Sequence, residues 1–295
     1  MTTANPSTEK TSTPIHPATR LGHVHYTVAD LDRQVAFYRD ILGFKEHWRE
    51  GDSAGLGGGK ADLLRLTQVA DAQRPRRTTG LYHTAFLVPT RWELAQLLKS
   101  IAENRTPIQG MTNHGTHHAV YLPDAEGNGI ELAWDLPQDK WPKTGAEMMS
   151  ANRGLAPEDV FSALQDNFDL WEGLAAETQI GHVHLHVSQL EPTDHFYREI
   201  LGFGSPFELP ANMGAIFFAA GDYHHHIGTN VWNGVGAPPP PANATGLRYY
   251  SVILPDTAEQ SRVLERVRAA GIVVEETAEG YLLHDPAQNG ILLTV

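Results

Sequence analysis

Histidine and carboxylate are the chemistry this sequence offers first. It has 16 histidines and no cysteine. Disulfides and thiolate metal sites are therefore excluded, and imidazole and carboxylate become the natural ligands for any bound metal. The histidines fall in short runs: GHVHYTV from residue 22, YHTAF from 82, NHGTHHAVYL from 113, GHVHLHV from 181 and GDYHHHIGTNVW from 221. One acid stands out beside them. Glu131 lies in the apolar run Ile130-Glu131-Leu132, where a buried carboxylate is costly without a cation or hydrogen-bond donors.

The elements that must position these groups are visible as an internal repeat, the feature to seek before any local assignment. Residues 22 to 44, GHVHYTVADLDRQVAFYRDILGF, lie over residues 181 to 203, GHVHLHVSQLEPTDHFYREILGF, at an offset of 159, with 13 of 23 positions identical. Each copy reads as a strand, then a helix with apolar residues such as Val35, Phe37, Ile41 and Leu42 near helical spacing, then a Gly-Phe turn. GLYHTAFLVP at 80 to 89 pairs in the same way with GLRYYSVILP at 246 to 255, and helices are predicted after them over 91 to 104 and 257 to 270. YLPDAEGNGIELAW at 121 to 134 pairs with LLHDPAQNGILLTV at 282 to 295, an Asn-Gly turn feeding an apolar strand. The chain thus reads as four strand-helix-strands units grouped two and two. In this alignment His23 matches His182, whereas His83 matches Tyr249 and Glu131 matches Leu292, so the second copy replaces the apolar-run glutamate with leucine.

The expected layout is a disordered leader over 1 to 19, rich in Thr, Ser and Pro at its start. A first domain over 20 to 135, a connector over 136 to 179 with a helix begun by Pro157, and a second domain over 180 to 295 follow. No apolar stretch is long enough to span a membrane and no signal-peptide core is present, so the expected location is cytoplasmic. A net charge of -13 disfavours nucleic acid and anionic membranes, which reward clustered Lys and Arg. Small molecules are the expected partners.

The segments GHVHYTVADLDRQVAFYRDILGF, GLYHTAFLVP and HGTHHAVYLPDAEGNGIELAW resemble the vicinal oxygen chelate superfamily, and most of all its catechol 2,3-dioxygenase-type extradiol enzymes. The resemblance runs from about residue 20 to 295. It implies an α+β fold of four βαβββ modules paired into two cup-shaped half-barrel domains. In extradiol members the metal is held by the His opening one module, the His opening its partner and a Glu on the partner's last strand. Matching motif to motif implies His23, His83 and Glu131, with Fe(II), or Mn(II) in its stead, as the cofactor. The first domain then carries the metal and the second has lost its triad. Two imidazoles and one carboxylate leave adjacent positions open for a small aromatic diol and O2. The superfamily's habit of self-association implies a homo-oligomer.

The same resemblance implies catalytic roles for His114 and Tyr121, with His117 in reserve, as groups that touch bound oxygen and substrate. Many extradiol enzymes carry a further His in the last strand of the first catalytic module to move protons. In GGGKADLLRLTQVADAQ none is found. His224, His225 and His226 could join His182 in a second metal site, but Tyr249 and Leu292 remove two ligands there. The alternative functions are a glyoxalase, which LLRLTQ disfavours for want of a second acid, a thiol transferase, whose chains are typically about half this length, and a sequestering protein, which would dispense with the ligands.

Overall fold

The computed structural model describes residues 13–165 and 169–295. Residues 1–12 of the expected leader lie outside the described residues, but its end is ordered. Ile15 is buried and its amide donates to the Gly202 carbonyl at 2.8 Å, so a short apolar anchor ties this segment to the second half.

The repeat becomes four modules. The first is β1 (Arg20–Val28), α1 (Leu31–Asp40), β2 (Lys45–Glu50), β3 (Ser53–Gly57) and β4 (Leu64–Gln68). The second is β5 (Gly80–Leu87), α2 (Arg91–Glu103), β6 (Gly110–Asn113), β7 (His117–Pro123) and β8 (Gly129–Asp135). A connector follows with α3 (Gly145–Ala151), β9 (Arg153–Gly154) and α4 (Pro157–Phe161). The third module is β10 (Gln179–His186), α5 (Leu190–His195), β11 (Ala215–Phe218) and β12 (Ile227–Asn230). Where its first strand after the helix would lie, only a Gly204–Ala219 bridge remains. The fourth is β13 (Gly246–Ile253), α6 (Thr257–Ala269), β14 (Glu275–Thr277), β15 (Gly280–His284) and β16 (Gly290–Thr294). Among the described residues no helix is long and apolar enough to cross a membrane.

Helix starts are set by side-chain caps. Asp30 accepts from the Arg33 amide at 3.0 Å, Thr90 from Glu93 at 3.2 Å and Asp256 from Glu259 at 2.8 Å, each satisfying a donor the first turn leaves free. The acidic turns at the end of modules two and four are built alike. Asp124 Oδ1 accepts from the Glu126 and Asn128 amides, and Asp285 Oδ1 from those of Ala287 and Asn289. The repeated FYR tyrosines hold them from the helix segment of the preceding module: the Tyr38 hydroxyl donates to Asp124 at 3.2 Å and that of Tyr197 to Asp285 at 3.1 Å.

The sheets ignore the boundary between the halves. In every module the last strand runs parallel beside the first, as β4 does with β1 and β8 with β5. The first strands then join antiparallel, β1 with β13 and β5 with β10. One eight-stranded sheet has the order β14-β15-β16-β13-β1-β4-β3-β2, the other β11-β12-β10-β5-β8-β7-β6-β9. Module one is therefore paired with module four and module two with module three. This corrects the expectation of one cup per sequence half over 20 to 135 and 180 to 295. A hydrogen bond between the hydroxyls of Tyr26 on β1 and Thr84 on β5, at 2.6 Å, joins the sheets.

Candidate metal centre

Antiparallel pairing of β5 with β10 sets His83 opposite His184 in register. His182, two residues earlier on β10, points to the same face because side chains alternate along a strand. Parallel pairing of β5 with β8 places Glu131 opposite Ala85. The close approach is made possible by Gly129, where a Cβ would lie 2.0 Å from the Tyr82 carbonyl oxygen and 3.0 Å from His83 Cβ. The three side chains converge. His83 Nε2 and His182 Nε2 lie 3.1 and 3.2 Å from the same oxygen, Glu131 Oε2, and 3.2 Å from each other.

That triangle tests whether a metal fits. Ligands at about 2.1 Å from one ion and about 90° apart would lie about 3 Å from one another, which is the spacing seen. Glu131 is 1% exposed. Burial opposes its ionisation, but the nearby His182 and His117 outweigh this and hold the carboxyl well below its usual range. Burial drives His83 down to about 3, leaving a neutral imidazole able to bind a cation. His117 Nε2 lies 2.8 Å from Glu131 Oε1, yet neither atom has a hydrogen-bond partner.

His23 is not brought to His83 and Glu131. It lies on β1 in the other sheet, where its Nδ1 is 3.3 Å from Ser251 Oγ and its ring meets Tyr249 edge-on at 5.6 Å. The physical reason is the strand pairing: the partner of module two is module three, so the repeat-equivalent histidine His182 occupies the place expected of His23. The degenerate set His23, Tyr249 and Leu292 lies in the sheet of modules one and four. There Arg65 bonds to Asp62 and Glu279, at 2.9 and 2.7 Å. The close group of possible ligands, expected wholly within the first half, is thus His83, Glu131 and His182, drawn from both halves.

His114 and Tyr121 are brought to the centre. His114 Nε2 and the Tyr121 hydroxyl are 2.7 Å apart, and both line a cavity of about 280 Å³ with His83, Glu131 and His182. His117 lines it too, whereas His118 turns against Trp134. Of the run at 224 to 226, His224 and His225 also reach the cavity. His224 Nε2 is 3.1 Å from Asp135 Oδ1, its Nδ1 is 2.9 Å from His225 Nδ1, and the Tyr223 hydroxyl donates to Asp135 Oδ2 at 3.0 Å. The His225 ring packs 4.1 Å from that of His182. His117, Asp135 and His224 also form a second close group of possible ligands. Two signals for what sequence reasoning missed were already present: the equivalence of His23 with His182, and the position of the triple histidine in module three, which matches the place where module one was searched for a proton-moving histidine.

Cups of paired βαβββ modules with two imidazoles and one carboxylate converging in one of them define the class of protein. The family model described as the Glyoxalase/Bleomycin resistance protein/Dioxygenase superfamily matches residues 20–132 and 179–284, and the chain belongs to that superfamily, the vicinal oxygen chelate proteins. It is 38% identical over 289 residues to a catechol-2,3-dioxygenase of Bacillus subtilis strain 168, covering 96% of this chain and 99% of the relative. The crystal structure of glyoxalase I from Zea mays matches with a TM-score of 0.60 at 17% identity, over 94% of this chain and 92% of that one, a likeness of fold alone.

Proposed function

We propose that the protein is an extradiol dioxygenase that cleaves a catechol-like diol with O2, using Fe(II) held by His83, His182 and Glu131. The observation that carries this reading is the triangle of His83 Nε2, His182 Nε2 and Glu131 Oε2, with sides of 3.1, 3.2 and 3.2 Å. The relative named as a catechol-2,3-dioxygenase supports it. Bound iron would supply adjacent positions for both diol oxygens and O2; Mn(II) suits the same donors.

The chain's own residues orient the diol and handle its protons. Tyr121 and His114, hydrogen-bonded to each other, present a hydroxyl and an imidazole to substrate oxygens. The tautomers of the triple histidine follow from their contacts. With Asp135 accepting the Nε2 proton of His224, His224 Nδ1 carries a lone pair and accepts from His225 Nδ1. His225 Nε2 is then left with the lone pair of a ring that lines the cavity, placed to share a diol proton. Burial holds His225 well below its usual range and so neutral. This supplies the proton-moving group that module one lacks.

Anaerobic loading with Fe(II), followed by catechol and air, should give a yellow semialdehyde with one O2 consumed per ring. Iron bound at one per chain with no oxygen uptake across a panel of diols would refute the proposal.

A further inference from the structure

The walls of the cavity show more than its ligands do. Away from the histidines they are formed by segments outside the two-sheet framework as well as by strands. Met148 and Met149 come from α3 in the connector, Phe207 from the loop after module three's helix, Met213 from the turn before β11, Phe217 from β11 and Trp232 from the segment after β12. The two loop walls lean on each other at Gly145, where a Cβ would lie 2.1 Å from the Glu208 carbonyl oxygen. Among the described residues no lysine or arginine lines this cavity. Arg74, Arg76, Arg77 and Arg248 line a separate groove.

Resting on the ring-cleavage reading above, we propose that the favoured diol is electrically neutral and carries a short apolar substituent, not a carboxylate. A carboxylate on the ring would lose water against methionine and aromatic side chains, with only the neutral Thr116 and Asn152 among them and no guanidinium or ammonium to receive it. An alkyl group would gain from the same walls. Methionines from separate segments adapt to the shape of the group they meet, so the cavity accommodates a range of short chains. Its volume of about 280 Å³ lies just under the usual range of about 300–1,000 Å³ for ligand pockets, which suits one ring with a small substituent.

The test uses the full chain in two ways. With Fe(II) loaded, kcat/KM is compared for catechol, 4-ethylcatechol and 3,4-dihydroxybenzoate. Without turnover, binding of 4-ethylphenol and 4-hydroxybenzoate is followed by tryptophan fluorescence. The ethyl compound should exceed catechol by about tenfold and the carboxylated diol by about 100-fold in kcat/KM, with the same order in binding. Met213→Lys, and independently Met148→Lys on the partly exposed face of α3, should each improve the carboxylated diol at least about tenfold, with folding and metal content checked for both. Wild-type protein that cleaves the carboxylated diol as well as the ethyl one overturns the proposal and leaves ring cleavage standing. If iron-loaded protein cleaves no diol, ring cleavage falls instead. The binding order then decides the charge preference, and tighter 4-hydroxybenzoate overturns it.

Discussion

At the scale of single residues, the contrast between His23 and His182 separates sequence likeness from spatial role. Both open a module with GHVH, yet only His182 stands 3.2 Å from Glu131 Oε2. His182→Ala should weaken metal binding by more than about 100-fold, since even loss of an outer partner of a ligand costs about 10–100-fold. His23→Ala should leave metal content at the wild-type level. Titration of metal-free protein with Fe(II) under anaerobic conditions checks both. Asp135 acts through His224. Asp135→Asn would let His224 take the other tautomer, so kcat should fall about 10–100-fold while metal content stays constant. A shift in the pH profile of kcat would distinguish this from simple loss of stability. Glu131 was legible as a residue out of place in an apolar run. Which of His23 and His182 would meet it was not, because identical motifs at 22 and 181 carry no mark of which strand each will meet.

At the scale of elements, the strands and helices follow from local pattern. The helices predicted over 91 to 104 and 257 to 270 form as Arg91–Glu103 and Thr257–Ala269, because each has a capping residue and a buried apolar stripe. Side-by-side packing of first and last strands depends on a glycine in each half. A Cβ at Gly290 would meet the Arg248 carbonyl oxygen at 2.1 Å and Tyr249 Cβ at 3.0 Å, the same obstruction that Gly129 avoids at Tyr82 and His83. Gly129→Ala and Gly290→Ala should therefore cost similar stability, about 1–3 kcal/mol each by overpacking. Only Gly129→Ala should also reduce metal affinity, because on the proposed site only β8 carries a ligand beside a ligand-bearing strand. Urea denaturation together with metal titration reads out both effects. What local pattern did not supply is the partner of each module: strand pairing is a non-local choice, and four similar modules present similar edges.

At the scale of the whole molecule, the buried histidines govern the response to acid. Burial is the leading cause in each case: it holds His25, His83 and His114 near 3 and His23, His224 and His226 near 4, against about 6.5 in an unfolded chain. Between pH 6.5 and 4 the unfolded chain takes up protons that the fold refuses, so stability is greatest above this window and falls as pH drops through it. Asp124, Asp285 and Glu93, raised by burial, act in the opposite sense, but the depressed imidazoles outnumber them, since burial also lowers His118, His184, His186 and His225. Chelator-treated protein should unfold at lower urea at pH 5 than at pH 7.5; an unchanged midpoint would mean that these rings accept protons within the fold. The interleaving of the two sheets also imposes a timetable on synthesis. His83 and Glu131 leave the ribosome well before β10 delivers the second imidazole, and β1, among the first strands made, waits for β13 near the end of translation to find its neighbour. On the proposed site a metal could not be held by the nascent first half alone, and its loading would be a late event that marks a finished chain.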